Sequence, residues 1–417
     1  MQEKIVIYPP SREFRQTGGE PLPLRKRNAI VIEPGVLSNR LLLVSPRWFD
    51  ARGIHFQWKG CEQEETVLAS ISHAPSIPDE GFRLVVTPRG VEITVSGDCG
   101  AFYALQTLRQ LLDQSEDILP ALVINDYPAF KRRGYMLDIS RCKVPQQWML
   151  KHLIELLSVY RYNELQLYTE HTFAYRGHEV VWADASALTP EAICELREYA
   201  AAHFIELVPN QNSFGHLERW FKHPEYAPLA ECPEGFAYPW GERANHGFSL
   251  EPSDEAIAFL DGLYSQLLPN FTSELFNVGC DETWDLGQGK SARRCQEEGK
   301  SSVYVDFLCR IHKLVRRYGR RMMFWGDIIL HDPEKIASLP DDMIGLVWGY
   351  DADTPFDRNT AHFARHQIPF YVCPGTSSWN SICGRLPNAR VNIRNAAVHG
   401  QANGAMGILV TDWGDNG

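Results

Sequence analysis

The chain has 417 residues, 44% hydrophobic and 22% charged. That suits a globular protein with a large core and excludes a mainly disordered, collagen-like or coiled-coil chain. Lys+Arg 41 against Asp+Glu 52 gives a formal charge of −11, a poor balance for a nucleic-acid binder.

Residues 1–125 read as a small α+β domain. The start, MQEKIVIYPPSREF, lacks a basic segment followed by an apolar run, so no signal peptide is expected. Leu41–Val44, Phe82–Thr87 and Val91–Val95 are strand-like, with Arg89-Gly90 as a hairpin turn. Gly100–Leu112 has apolar residues at helical spacing, with Asp98 as its N-cap. Nothing in this segment looks catalytic.

Residues 126–417 repeat strand, loop and helix. The strands are expected at Gly134–Ile139, Glu164–Tyr168, Ile205–Pro209, Leu275–Val278, Met322–Trp325, Ile344–Trp348, Phe370–Val372 and Met406–Val410. Helical patterns lie between them at Pro145–Tyr160, Pro190–His203, Asp254–Leu268, Val303–Tyr318 and Phe356–His366. Eight such units imply an α/β fold, a (β/α)8 TIM barrel behind the small α+β domain. The chain stops at Gly417, so the last barrel helix is expected to be missing. No stretch reaches 18 apolar residues, which argues against a membrane span. Ten Cys without a CxxC pair suggest reduced thiols and a cytoplasmic setting.

In a barrel the C-terminal strand ends converge on one face, where the active site lies. Just past those ends stand Asp138, Glu170-His171, Asn210, Asn212, Asp281-Glu282, Trp325, Asp327, Trp348, Tyr350, Trp413 and Asp415. Eleven Trp is a high share, and sugar C–H faces pack well on indole. The sharpest segment is Asn277-Val278-Gly279-Cys280-Asp281-Glu282-Thr283-Trp284. Adjacent carboxylates repel, so one keeps its proton towards neutral pH and can act as a general acid beside a stabilising carboxylate.

This segment resembles the His-x-Gly-Gly-Asp-Glu signature of family 20 glycoside hydrolases, the β-N-acetylhexosaminidases, with Asn277 for the His and Cys280 for the second Gly. Arg133–Asp138 resembles the family's first-strand motif, Pro209–His216 its third-strand motif, and Gly100–Leu112 the end of its small domain. Glu170-His171-Thr172 and Trp413-Gly414-Asp415 are similar to the cytoplasmic-type branch. The resemblance implies substrate-assisted hydrolysis, in which the substrate's 2-acetamido oxygen is the nucleophile. On that basis Asp281 and Glu282 are catalytic. Arg133 would hold sugar hydroxyls, and Asp415 would accept from O4 or O6. Trp325, Trp348 and Trp413 would box the acetamido methyl. His216 would orient the acid or contact O3 or O6, and Glu170 and His171 would support the catalytic Asp. The family's acetamido-orienting Tyr is replaced in position by Trp379, with Tyr350 as a substitute.

The aromatic stretch Ser213–Leu250 reads as a wall of the substrate mouth or a homodimer contact. The expected ligand is an amino-sugar glycoside, with no cofactor, no metal and no nucleic acid. Two alternatives stay open. One is a catalytically silent sugar-binding protein. The other is a glycosidase with a protein nucleophile, for which Asp327 or Asp138 would be the candidate.

Overall fold

The computed structural model describes residues 5–33, 38–60, 66–141, 143–379, 381 and 384–415. Two compact units form. One comprises Met1–Ala129, Glu155–Arg161 and Ala202–Phe204; the other comprises Phe130–Ile154, Tyr162–Ala201 and Ile205–Gly417.

The first unit is a seven-stranded mixed sheet covered by one helix. Its strand order is Glu13–Gln16, Leu122–Asp126, Phe82–Thr87, Gly90–Val95, Val67–His73, Ala29–Ile32 and His55–Trp58. The first three neighbouring pairs are antiparallel and the rest parallel. The helix Asp98–Asp113 buries Ala101, Phe102, Leu105, Leu108 and Leu112 in a cluster with Ile30, Ile71, Leu84 and Ile93. Period 3.6 on the helix meets period 2 on the strands.

Three local expectations are corrected in this unit. Leu41–Val44 lies not in a strand but largely in the 3-10 turn Asn39–Leu43. A short apolar run has no periodicity to decide between the two states, and here Ser38 Oγ accepts from the Arg40 amide and starts the turn. Gly97, rather than Asp98, is the N-cap, because the Asp98 carboxylate faces Ser38 and accepts from its amide at 2.8 Å. The hairpin turn is Pro88-Arg89, with Gly90 already paired to Thr87.

The second unit is a parallel eight-stranded barrel. In chain order its strands are Arg132–Asp138, Glu164–Tyr168, Glu206–Val208, Leu275–Asn277, Arg321–Trp325, Ile344–Trp348, Phe370–Cys373 and Gly407–Asp412. The sheet runs third, second, first, eighth, seventh, sixth, fifth, fourth. The seam between third and fourth is closed by the parallel bridge Asn210↔Asn277. Interior positions alternate along each strand, so Met136, Tyr168, Val208, Leu275, Met323, Leu346, Tyr371 and Leu409 fill one core. Each of the eight expected strands overlaps an observed one. The helix Leu386–Ala402 was not expected from the sequence. Among the described residues no helix is long and apolar enough to cross a membrane.

Candidate active site

The fourth strand, Leu275–Asn277, runs into a turn whose backbone is mostly left-handed. Gly279, Cys280 and Glu282 have φ of 67°, 70° and 47°. Only glycine takes such angles without cost. At Gly279 it is also required by space, since a Cβ there would lie 1.4 Å from Asn212 Oδ1. The turn is fixed from several directions. The Trp325 amide donates to Gly279 O at 2.9 Å and the Tyr304 hydroxyl to Cys280 O at 2.9 Å. The Glu282 amide donates to Asp327 Oδ2 at 3.1 Å. Gly215 lets the third-strand loop pass against Asp281 O, where a Cβ would stand 2.5 Å away.

That turn delivers Asp281 and Glu282 to His216, whose Nε2 is 3.3 Å from Asp281 Oδ2 and 3.5 Å from Glu282 Oε2. Asp281 Oδ1 is buried and has no hydrogen-bond partner. Behind His216 lies Arg141, 3.4 Å from its Nδ1. The Arg141 guanidinium reaches Asp138 at 3.3 Å, Glu170 at 3.5 Å and Asp415 at 3.0 Å. It also lies over the rings of Tyr168 and Trp413, at 4.9 and 4.8 Å.

Burial sets the protonation of this cluster. It lifts the Glu282 carboxyl above its ordinary range; Asp281 adds to the rise and His216 opposes it. This keeps a proton where a general acid needs one. Burial raises Glu170 to about 7 against the pull of Arg141. Burial and the neighbouring Asp281 raise Asp327 to about 8. For His216 burial alone would favour the neutral ring, but Asp281 and Glu170 outweigh it and hold its pKa up to about 10.

Aromatic rings cluster at the ends of the fifth, sixth and eighth strands. Trp413 is 5.9 Å from Trp325 and 4.7 Å from Tyr168, and its indole N–H donates to Tyr350 Oη at 2.8 Å. Tyr350 stacks on Trp348 at 5.0 Å and meets Trp379 edge-on at 4.8 Å. Trp325 Nε1 has no hydrogen-bond acceptor, whereas Trp348 faces the Asp327 carboxyl and opposes its rise.

Of the residues singled out from sequence, Asp281, Glu282, His216, Glu170, Asp415, Trp325, Trp348, Tyr350, Trp379 and Trp413 therefore gather at one end of the barrel. Two do not join them. Arg133 lies at the start of the first strand, and its guanidinium donates to Phe130 O at 2.8 Å. It is at the wrong end, about 17 Å from the strand end that faces the site. It also has the wrong parity, because even-numbered Met136 faces the barrel core. His171 is buried among Arg219, Asp184 and Lys222; burial first and Arg219 next lower its pKa to about 4.

The sequence reading missed Arg141. Its signal was position: it follows the first strand end by three residues, whereas Arg133 precedes the whole strand. Among the described residues one group has metal-ligand spacing, His216, Asp281 and Glu282, with donor atoms within 4.8 Å. The adjoining Arg141 cation makes it a poor cation site.

Comparison with known proteins agrees with this geometry. Residues 130–374 match the glycosyl hydrolase family 20 catalytic domain, and residues 4–127 match that family's domain 2. Similar curated proteins include a Beta-hexosaminidase of Porphyromonas gingivalis, 24% identical over 303 residues, covering 63% of this chain and 38% of that protein. A Beta-hexosaminidase of Akkermansia muciniphila is 26% identical over 293 residues, 62% of this chain and 57% of its own length. Human Hexosaminidase D is 24% identical over 306 residues, 68% and 60% of the two chains. The matches thus take in about four to six tenths of these relatives' length. In fold, the chain is similar to the beta-N-acetylhexosaminidase of Bacteroides fragilis, with a TM-score of 0.75 at 21% identity, covering 99% and 86% of the two chains. It is also similar to the Exo beta-N-Acetylglucosaminidase of Vibrio harveyi, with a TM-score of 0.77 at 15% identity and coverage of 97% and 69%. The matched catalytic domain takes in more than half of the sequence, and the chain belongs to glycosyl hydrolase family 20.

Proposed function

We propose that the protein is an exo-acting β-N-acetylhexosaminidase that removes a terminal β-linked N-acetylglucosamine or N-acetylgalactosamine with net retention. The observation that carries this reading is Asp281 Oδ1, a buried acceptor without a donor, close to Tyr350 of the aromatic cluster. A buried carboxylate oxygen left unpaired is costly, and an acetamido N–H would satisfy it. Tyr350 beside it can orient the acetamido oxygen, and the rings of Trp325, Trp348 and Trp413 suit the methyl group.

In the first step the acetamido oxygen bonds to C1 as the C1–O bond to the leaving group breaks. Glu282 gives its proton to that oxygen. Attack within one molecule removes much of the entropic barrier, and Asp281 stabilises the oxazolinium-like cation. In the second step Glu282 takes a proton from water, and the water oxygen replaces the acetamido oxygen at C1. Two inversions give retention.

A protein nucleophile is disfavoured by how the other carboxylates are used. Asp138 accepts from the amides of Ser140 and Gly414, at 2.8 and 2.9 Å. Asp327 is engaged behind Glu282 by the latter's own amide. The test is hydrolysis of a chromogenic β-N-acetylglucosaminide and the matching β-glucoside by wild type and Glu282→Gln. The proposal expects turnover only of the acetamido substrate, reduced about 10²–10⁴-fold in the variant. Equal hydrolysis of the glucoside would refute it, and a folded protein inert on both would point to a silent sugar binder.

A further inference from the structure

A second aromatic surface lies against the loop that follows the acid pair. The excursion after the third strand folds back as a small hairpin, with the bridge Ala237↔Arg243 and the Tyr238 amide donating to Glu242 O at 2.8 Å. Its tip carries Trp240, which is 60% exposed although it is large and apolar. Trp240 stacks on Tyr238 at 4.5 Å with 15° between the planes, and meets Trp284 edge-on at 5.6 Å. Trp284 is two residues beyond Glu282.

This hairpin is held in place by other residues. Gln288 accepts from the Ala237 amide at 3.3 Å and donates to Ala237 O and Trp284 O, both at 3.0 Å. Buried Asp285 accepts from the amides of Phe248 and Ser249 at 3.0 and 3.1 Å. Buried Glu231 accepts from the amides of Gly287, Gly289 and Ser291. Three polar side chains thus tie the hairpin and its flanks to the loop that follows the acid pair. The contact path into the site is continuous: Tyr238 touches Phe248 at 6.3 Å between centroids, and Phe248 touches His216 at 4.7 Å.

The hairpin meets the chain just past Glu282: Trp284, which Trp240 touches, donates its amide to Glu282 O at 2.6 Å. In the reaction proposed above, Glu282 protonates the leaving oxygen, so what lies beyond it is the leaving group. We propose that Trp240, backed by Tyr238 and flanked by Trp284, is a binding platform for a saccharide leaving group, and that the natural substrates are oligosaccharides carrying a pyranose next to the scissile bond. An exposed, pre-positioned indole face is suited to a sugar ring, whose C–H face it covers without a large ordering cost. Glu242, which accepts from Trp240 Nε1 at 3.2 Å, fixes the indole orientation. This inference rests on the hexosaminidase reading for the identity of the leaving-group side.

Two measurements test it separately from that reading. The first is the ratio of kcat/KM for a β-linked N-acetylglucosamine disaccharide to that for methyl β-N-acetylglucosaminide. Trp240→Ala is expected to lower this ratio about 3- to 10-fold and Trp240→Phe to restore most of it. An unchanged ratio would overturn the platform. The second uses Glu282→Gln protein, which does not consume its ligand, and compares binding of the disaccharide with that of N-acetylglucosamine. The disaccharide should bind 3- to 10-fold tighter, and Trp240→Ala should remove the difference. Equal binding before the second substitution would also overturn the proposal. If wild type hydrolyses neither glycoside, the hexosaminidase reading fails, while the binding comparison still decides the platform.

Discussion

The two ends of the barrel carry similar groups put to opposite uses. At the N-terminal end Arg132 lies between Glu206 and Glu164. Glu164 accepts from Tyr371 Oη at 3.0 Å and from Gln166 Nε2 at 2.8 Å, and Glu206 accepts from Ser273 Oγ at 2.5 Å. Each of these carboxylates has its donors within the protein. At the C-terminal end Arg141 likewise gathers Asp138, Glu170 and Asp415 around a buried Tyr168. There, however, Asp281 Oδ1 and Trp325 Nε1 are buried without partners. A satisfied buried network specifies a fold, whereas an unsatisfied one at the open end of a barrel is a set of donors and acceptors kept for something else.

The comparison breaks if the two ends respond alike to substitution. The largest expected effect is at the unsatisfied end. Asp281→Asn should lower kcat about 10²–10³-fold, as loss of a transition-state partner does, with the urea midpoint unchanged or raised. At the satisfied end Glu164→Ala should do the reverse. It leaves Tyr371 and Gln166 without their acceptor and Arg132 with Glu206 alone, costing about 3–5 kcal/mol in urea denaturation, with kcat within about threefold for the folded fraction. A collapse of kcat at full stability in Glu164→Ala would undo the distinction.

The paired arginines sharpen it. Arg141→Ala should reduce kcat/KM by about 10²-fold or more, because it uncovers three carboxylates beside the acid pair. Arg133→Ala should cost about 1 kcal/mol of stability through its lost bond to Phe130 O and leave turnover within about twofold.

A further effect is on pH dependence. The pKa of His216 is raised from 6.5 to about 10 in the folded protein. Its contribution to stability is therefore full below about pH 6.5 and lost as pH rises towards 10. His216→Gln should flatten the wild-type loss of stability over that window in denaturation series at stepped pH. An identical slope in the two proteins would show that the ring is neutral in the fold.

The barrel was legible because its strands, buried on both sides, read as short apolar runs separated by helical patterns. The small unit was less so. Glu13–Gln16 is exposed at all four positions and gives no alternation. The helix Leu386–Ala402 was hidden by its asparagines. Buried Asn392 donates to Gly349 O and Asp351 O and accepts from the Gly375 amide, so a polar residue occupies a core-facing turn. In the site, residues just past strand ends were found because chain direction places them there. The choice of Arg133 over Arg141 followed a motif and ignored that direction. The role of Asp327 as acceptor for the Glu282 amide could not be read from spacing, because the left-handed turn that aims that amide is set by packing against Asn212 and Gly215.

The central claim is that the substrate supplies its own nucleophile to the unsatisfied end of the barrel. It is tested most directly by progressively fluorinating the acetamido methyl of an aryl β-N-acetylglucosaminide and measuring kcat/KM. The account predicts a steep fall with each fluorine, because electron withdrawal weakens the acetamido oxygen as a nucleophile. A rate indifferent to fluorination would contradict it and return the role of nucleophile to a protein carboxylate.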